Sequence, residues 1–211
     1  MTVDDATYCV HKILARPNEW AEIGQAITRF GDALYGAWRS QIGRPRDEVT
    51  AITRWATKAE AETAEAKLLA SLPALRSIST RTMRPTLRPF DGVRPTHQGN
   101  YAFRWFTTLD AHMAEFLELC GSAWPGFEAS YDSQVIGLWQ LADDPTGMTD
   151  TLLLTRRPDL AMWERSKLPA NKAERQVRAK LSRRYDLCED TEVYTTTLMT
   201  ATDDKNSARW T

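Results

Sequence analysis

Cys9 and His11 stand two residues apart in Tyr8-Cys9-Val10-His11, the spacing that places both side chains on one face of an extended strand. Such a pair supplies two metal ligands, whereas a zinc site needs at least three from the protein. The other histidines, His97 and His112, add no ligand spacing, so no metal is expected. The ordinary titration range of imidazole suits proton transfer, which makes His11 the catalytic candidate against the plainer reading of a core histidine.

Two further residue types recur in matched positions. Gly36-Ala37-Trp38 is echoed by Gly137-Leu138-Trp139, and Ala51-Ile52-Thr53-Arg54 by Leu153-Leu154-Thr155-Arg156. A strand tryptophan with a glycine two residues earlier either fills a core or walls a pocket, with the glycine leaving space beside the ring. An arginine inside an apolar strand either reaches solvent or points inward to meet a carboxylate or phenolate bidentately. Trp38, Arg54, Trp139 and Arg156 are therefore the ligand-binding candidates, for a flat, anionic, aromatic molecule. The basic run from Arg165 to Arg184, with Glu174 its only acid, is read as a solvated helix face.

Much chemistry is excluded. There is no Gly-rich phosphate loop, Gly-x-Ser-x-Gly elbow, His-Glu-x-x-His or paired Cys-x-x-Cys. The net charge of -1 provides no field for a phosphate backbone, so no nucleic-acid partner is expected. No apolar run is long enough to span a bilayer, the acidic start carries no leader pattern, and three cysteines are an odd count; a cytoplasmic protein with free thiols is expected. A haem-handling protein would need an axial ligand, for which only His11 and His97 offer themselves; no cofactor is expected. Eight tryptophans exceed the six tyrosines and six phenylalanines, which favours large aromatic cores or stacking walls.

The elements that must position these residues form two copies of one plan. In the first, a strand at Tyr8–Ala15 leads into a helical spacing of Trp20, Ile23, Ile27 and Phe30. Strands follow at 35–42 and 49–56. Thr57 and Glu60 have capping-box spacing ahead of a helix carrying Ala61, Ala64, Leu68 and Leu72, and 77–83 is the last strand. In the second, a strand at 101–108 precedes a helix capped by Asp110 and ended by Gly121–Gly126. Strands at 134–141 and 149–156, one long helical region from Pro158 to Tyr185, and a strand at 191–200 complete it. The predicted organisation is a first repeat over 1–85, a Pro/Gly-punctuated linker over 86–98, and a second repeat over 99–211 with a polar tail. Strand-helix-strand-strand-helix-strand is the ferredoxin-like plan, and two copies can cover each other's open faces. The fold class is thus α+β: two tandem ferredoxin-like βαββαβ repeats packed sheet to sheet as an α+β barrel.

With the Gly-x-Trp strands and the stretch from Leu152 to Ser166, the chain resembles the NIPSNAP family of the dimeric α+β barrel superfamily. One departure is that Gln41-Ile42-Gly43 follows the first Gly-x-Trp strand, where the family tends to place an acid and a glycine. The resemblance implies a barrel cavity for a small molecule, a cofactor-independent oxygenase or isomerase, and a homo-oligomer, most simply a dimer. The competing reading is a non-enzymatic binding or assembly module with structural tryptophans. Whether the chain is an enzyme stays open at this level.

Overall fold

In the computed structural model, residues 2–141 and 147–203 are described, the side chain of Leu68 excepted. The turn expected after Leu141 and most of the expected tail lie outside them. The first half comprises β1 (Thr7–Ala15), α1 (Trp20–Ile27), β2 (Leu34–Ile42), β3 (Glu48–Trp55), α2 (Lys58–Ala70) and β4 (Leu75–Arg88). The second comprises β5 (Asn100–Leu109), α3 (Met113–Tyr131), β6 (Gln134–Leu141), β7 (Met148–Arg157), α4 (Leu160–Arg165), α5 (Lys172–Tyr185) and β8 (Cys188–Leu198). No described helix is long and apolar enough to cross a membrane.

Each half builds the ferredoxin-like sheet, β4-β1-β3-β2 and β8-β5-β7-β6, and the two sheets join edge to edge into one closed antiparallel barrel. Trp38↔Leu198 lies in the β2–β8 seam and Met83↔Leu141 in the β4–β6 seam. Closure consumes all strand edges among the described residues. The halves match in register: Tyr8 opposes Arg54 as Tyr101 opposes Arg156, and each Gly-x-Trp strand carries a bulge just before its glycine.

Period-two alternation sorts the side chains into three cores. Tyr8, Tyr35, Trp38, Tyr101, Phe103, Trp139 and Tyr194 fill the barrel. Ile13, Trp20, Ile23 and Phe30 seal α1 and its following 3-10 turn onto the first sheet, while Phe116, Trp124, Phe127 and Val177 seal α3 and α5 onto the second.

Several local expectations change. The helix expected to stop in Gly121–Gly126 runs to Tyr131 with Pro125 inside it. An internal proline costs roughly 3 kcal/mol, less than the sum gained by burying Trp124, Phe127 and Tyr131 on the sheet. Asp110 starts a 3-10 turn and accepts a hydrogen bond from Thr149 instead of capping α3. The region after Pro158 is two helices, each with its own cap: Asp159 accepts from the Met162 N–H and Asn171 from the Glu174 N–H. β4 extends to Arg88, into the stretch expected to be linker. The Thr57 cap is present, its hydroxyl accepting from the Glu60 N–H at 3.2 Å.

Candidate functional site

Trp38 and Trp139 point into the barrel and are wholly buried. The Trp38 ring meets Phe103 and Tyr101 edge-on at 5.2 and 5.8 Å, and Trp139 packs against Tyr8 at 5.5 Å. The space left by each glycine is taken by the tryptophan's own ring: a methyl on Gly36 would lie 2.5 Å from Trp38 Cη2, and one on Gly137 would clash with Trp139 in the same way. The glycines are cradles, and no room for a ligand remains beside these rings. Arg54 does share the inward face with Trp38, but the N-terminal segment meets it at the barrel end. Asp4 accepts from Arg54 Nε at 2.6 Å and Nη2 at 2.8 Å, and from Tyr8 Oη at 2.6 Å. Burial raises the Asp4 pKa, yet the bonds from Arg54 and Tyr8 outweigh it and leave the carboxyl below its ordinary value. Arg156 donates to the Gln98 carbonyl at 2.8 Å. None of the four lines the cavities described below.

His11 faces outward, beneath α2. Its Nε2 lies 3.1 Å from Glu65 Oε1 and its Nδ1 2.9 Å from Thr80 Oγ1, with Phe30 stacked over the ring. The same Glu65 oxygen accepts from Thr53 Oγ1 and, at 2.7 Å, from Trp55 Nε1. Burial raises the Glu65 pKa, but His11, Thr53 and Trp55 together hold it below the ordinary glutamate value. Cys9, alongside, has its thiol pushed up to about 12, chiefly by burial, so it is no nucleophile at neutral pH. This network is closed and lines none of the cavities. His97 is exposed and pairs with Asp203. Neither haem-ligand candidate lines any of the three cavities that follow, and among the described residues no three His, Cys, Asp or Glu side chains converge as a metal site.

Three cavities among the described residues differ in their charge. One of about 370 Å³ opens at a barrel end around Lys12, Arg44, Arg81, Trp105 and Asp150; there Arg44 is committed to Glu48 and Arg81 to Asp150. A second, of about 340 Å³, includes Arg88 and Arg94, which pair with Glu128 and Asp32. The third, of about 90 Å³, lies between the outer face of the second sheet and α3, α4 and α5. No carboxylate lines it; Lys167 at its mouth pairs with Glu164 at 3.0 Å, but Arg104, Arg157, Arg178 and Arg184 have no carboxylate partner among the described residues. That imbalance singles it out.

The deep part of this pocket is built on alternation and helical spacing. Arg104 on β5 and Thr155 and Arg157 on β7 point outward from the barrel. Arg184 falls in the same α5 stripe as Val177 and Leu181, so its side chain is driven inward and is only 3% exposed. Aromatic faces take up part of the charge: the Arg184 guanidinium lies 4.5 Å from Phe106, Arg157 5.0 Å from Phe127 and Arg104 5.7 Å from Tyr185. Arg184 Nη1 donates to Cys120 Sγ at 3.4 Å and Arg157 Nη1 to Thr155 Oγ1 at 3.2 Å, but the Nε groups of both arginines are buried without a partner. Burial, and then the charge of Arg104, pushes the Arg157 pKa down to about 10. Burial, with Arg184 and Arg178 nearby, lowers that of Arg104. At the mouth, Arg165 Nη2 donates to both carboxylate oxygens of Glu174, at 2.8 and 2.9 Å, fixing the α4–α5 corner that carries Trp163 and Lys167. Lys167 lies 4.0 Å from the Trp163 ring.

Arg184 belongs to the basic run expected to be a solvated helix face, and the structure turns it inward instead. The 177/181/184 spacing was the available sign that Arg184 turns inward. Nothing local marks Arg157: Thr155 is its strand neighbour, but Phe127 comes from α3 and Arg104 from β5.

No family model and no curated protein matches the chain. Solved structures do share its fold. A monooxygenase candidate from Lactobacillus acidophilus aligns with a TM-score of 0.60 at 10% identity, covering 94% of this chain and 98% of that one. An anthrone oxidase-like protein aligns with a TM-score of 0.61 at 12% identity, covering 92% and 91%. A mutant chlorite dismutase from Candidatus Nitrospira defluvii aligns with a TM-score of 0.60 at 6% identity, covering 93% and 92%. At these identities the likeness is one of fold, the α+β barrel expected from the sequence pattern.

Proposed function

We propose that this protein binds a small organic anion in the pocket between the second sheet and helices α3, α4 and α5. One observation carries the reading: Arg104, Arg157 and Arg184 converge on a pocket whose lining contains no carboxylate. A buried charge without a partner costs several kcal/mol, and a bound anion removes that cost while meeting the guanidinium donors. The volume of about 90 Å³ sets the size: it admits an anionic head and part of one ring, with Trp163 and Lys167 flanking the remainder at the mouth. A fused polycycle is too large to be enclosed.

The anionic, aromatic ligand class expected from sequence is retained, but the site moves from the barrel interior to its outer face. The resemblance of the Gly-x-Trp strands to the NIPSNAP family and the fold shared with an anthrone oxidase-like protein support a small aromatic ligand. The lining offers no His, Asp, Glu or Cys for proton transfer, so the proposal is binding, and any oxidation would draw on the ligand's own reactivity. A homo-oligomer would have to join through the outer helices, since the barrel's strand edges are already paired.

Isothermal titration of the full chain with benzoate and phenyl phosphate, repeated on Arg104→Gln and Arg157→Gln, tests the reading. Binding that falls at least tenfold in both variants is expected. No binding by either anion, or equal binding by all three proteins, overturns it.

A further inference from the structure

We infer that the anion is a carboxylate and that Thr155 selects it; this rests on the pocket reading above and names the ligand's reactive head. The argument comes from the internal duplication. Because Tyr8↔Arg54 and Tyr101↔Arg156 are equivalent pairs, His11 corresponds to Arg104, Thr53 to Thr155 and Trp55 to Arg157. All six side chains point outward beneath the helices of their own half.

In the first half this trio already holds a carboxylate. Helix α2 delivers Glu65, whose Oε1 takes hydrogen bonds from Thr53 Oγ1 and from Trp55 Nε1, with His11 Nε2 at 3.1 Å. In the second half the three equivalent positions carry stronger donors to anions, two guanidiniums and a hydroxyl. Helix α5 brings Arg184 there, and no acid lines the pocket. The second half therefore presents the receptor for a carboxylate without the carboxylate. Glu65 acts as a built-in analogue of the ligand and marks where its head sits: at the Thr155 hydroxyl, between Arg104 and Arg157.

The hydroxyl is placed to discriminate. Thr155 Oγ1 accepts from Arg157 Nη1 at 3.2 Å, so its single O–H remains to be donated. Thr155 is itself nearly buried and lines the cavity. A planar carboxylate fits the slot between sheet and helix as Glu65 does. A tetrahedral phosphate or sulfonate puts a third oxygen where the small volume has no room, and an uncharged amide leaves the arginines unneutralised.

The test is titration of the full chain with four probes sharing one ring: benzoate, phenyl phosphate, benzenesulfonate and benzamide. Benzoate should bind at least tenfold more tightly than each of the others. Thr155→Val should weaken benzoate at least fivefold while leaving benzenesulfonate unchanged, and Thr155→Ser should restore the benzoate preference. Melting curves of both variants, taken alongside, identify a folding defect, in which case the serine variant alone decides. Benzenesulfonate or phenyl phosphate binding as tightly as benzoate overturns the carboxylate assignment and leaves the anion pocket standing. A valine variant that weakens every anion equally removes the selecting role of Thr155. Failure of all four probes removes the pocket reading and this inference with it.

Discussion

Replacing Arg157 by methionine should stabilise the free protein and abolish its anion binding. The folded protein holds this guanidinium at about 10, roughly two to three decades below an ordinary arginine, and each decade is about 1.4 kcal/mol. Its burial therefore costs about 3 kcal/mol whenever the group is charged in both states. Methionine keeps the apolar stem over Phe127 and forfeits the bond to Thr155 and the contact with the ring, each about 0.5–1 kcal/mol. The net gain is about 1–2 kcal/mol, or about 2–8 °C in melting temperature for a chain of this size. The sign with pH follows from proton binding. Folded Arg157 loses its proton before the unfolded chain does, so the penalty is fully present below about pH 10 and stability rises above it; the variant lacks that rise. Ligand at a hundredfold excess over its dissociation constant should stabilise the wild type by about 2.7 kcal/mol and the variant not at all. Thermal melts with and without benzoate measure both. A variant that melts more than about 2 °C below wild type, or that keeps the full benzoate shift, refutes the reasoning.

Three other outcomes are expected. Glu65→Gln keeps an acceptor oxygen but removes the negative charge that Thr53, Trp55 and His11 surround, weakening charge-assisted bonds to neutral ones, and should cost about 1–3 kcal/mol in urea unfolding at pH 7. Because the Glu65 pKa is lowered on folding, its stabilisation is present above the ordinary glutamate value and lost as pH falls; the wild type should weaken below about pH 4.5 and the variant less so. Gly36→Ala forces a methyl against the Trp38 ring and should cost about 1–3 kcal/mol while leaving anion affinity unchanged, which separates a packing tryptophan from a ligand wall. Burial lowers the Lys12 pKa, and its ammonium sits 5.4 Å from the rings of both Trp105 and Tyr194. A larger neutral fraction at pH 8 should make Lys12 acylate faster than exposed lysines, as read by peptide mass spectrometry after brief treatment with an amine-reactive ester.

How much was legible in the chain differs sharply between fold and site. Strand alternation and helical spacing are local, so β1, β2, β3 and β6 fall within a residue or two of their expected bounds. The matched Gly-x-Trp and Thr-Arg strands exposed the duplication, and with it the ferredoxin-like plan. Local signals misled where distant packing outweighed them. Pro125 did not stop α3, because Trp124 and Phe127 bury against the sheet on either side of it. The pocket shows the same limit more strongly. Whether an arginine is paired depends on which acids tertiary folding brings near it, and two arginines adjacent in sequence met different fates. Arg156 points along the inner face to a backbone carbonyl, while Arg157 points outward into a cavity that offers it no carboxylate. The repeated strand and helix pattern is legible in the chain because its periodicity is carried by neighbouring residues. That Glu65 fills the outer face of the first half while arginines without a carboxylate line the matching face of the second depends on distances between side chains far apart in the chain, which only folding sets.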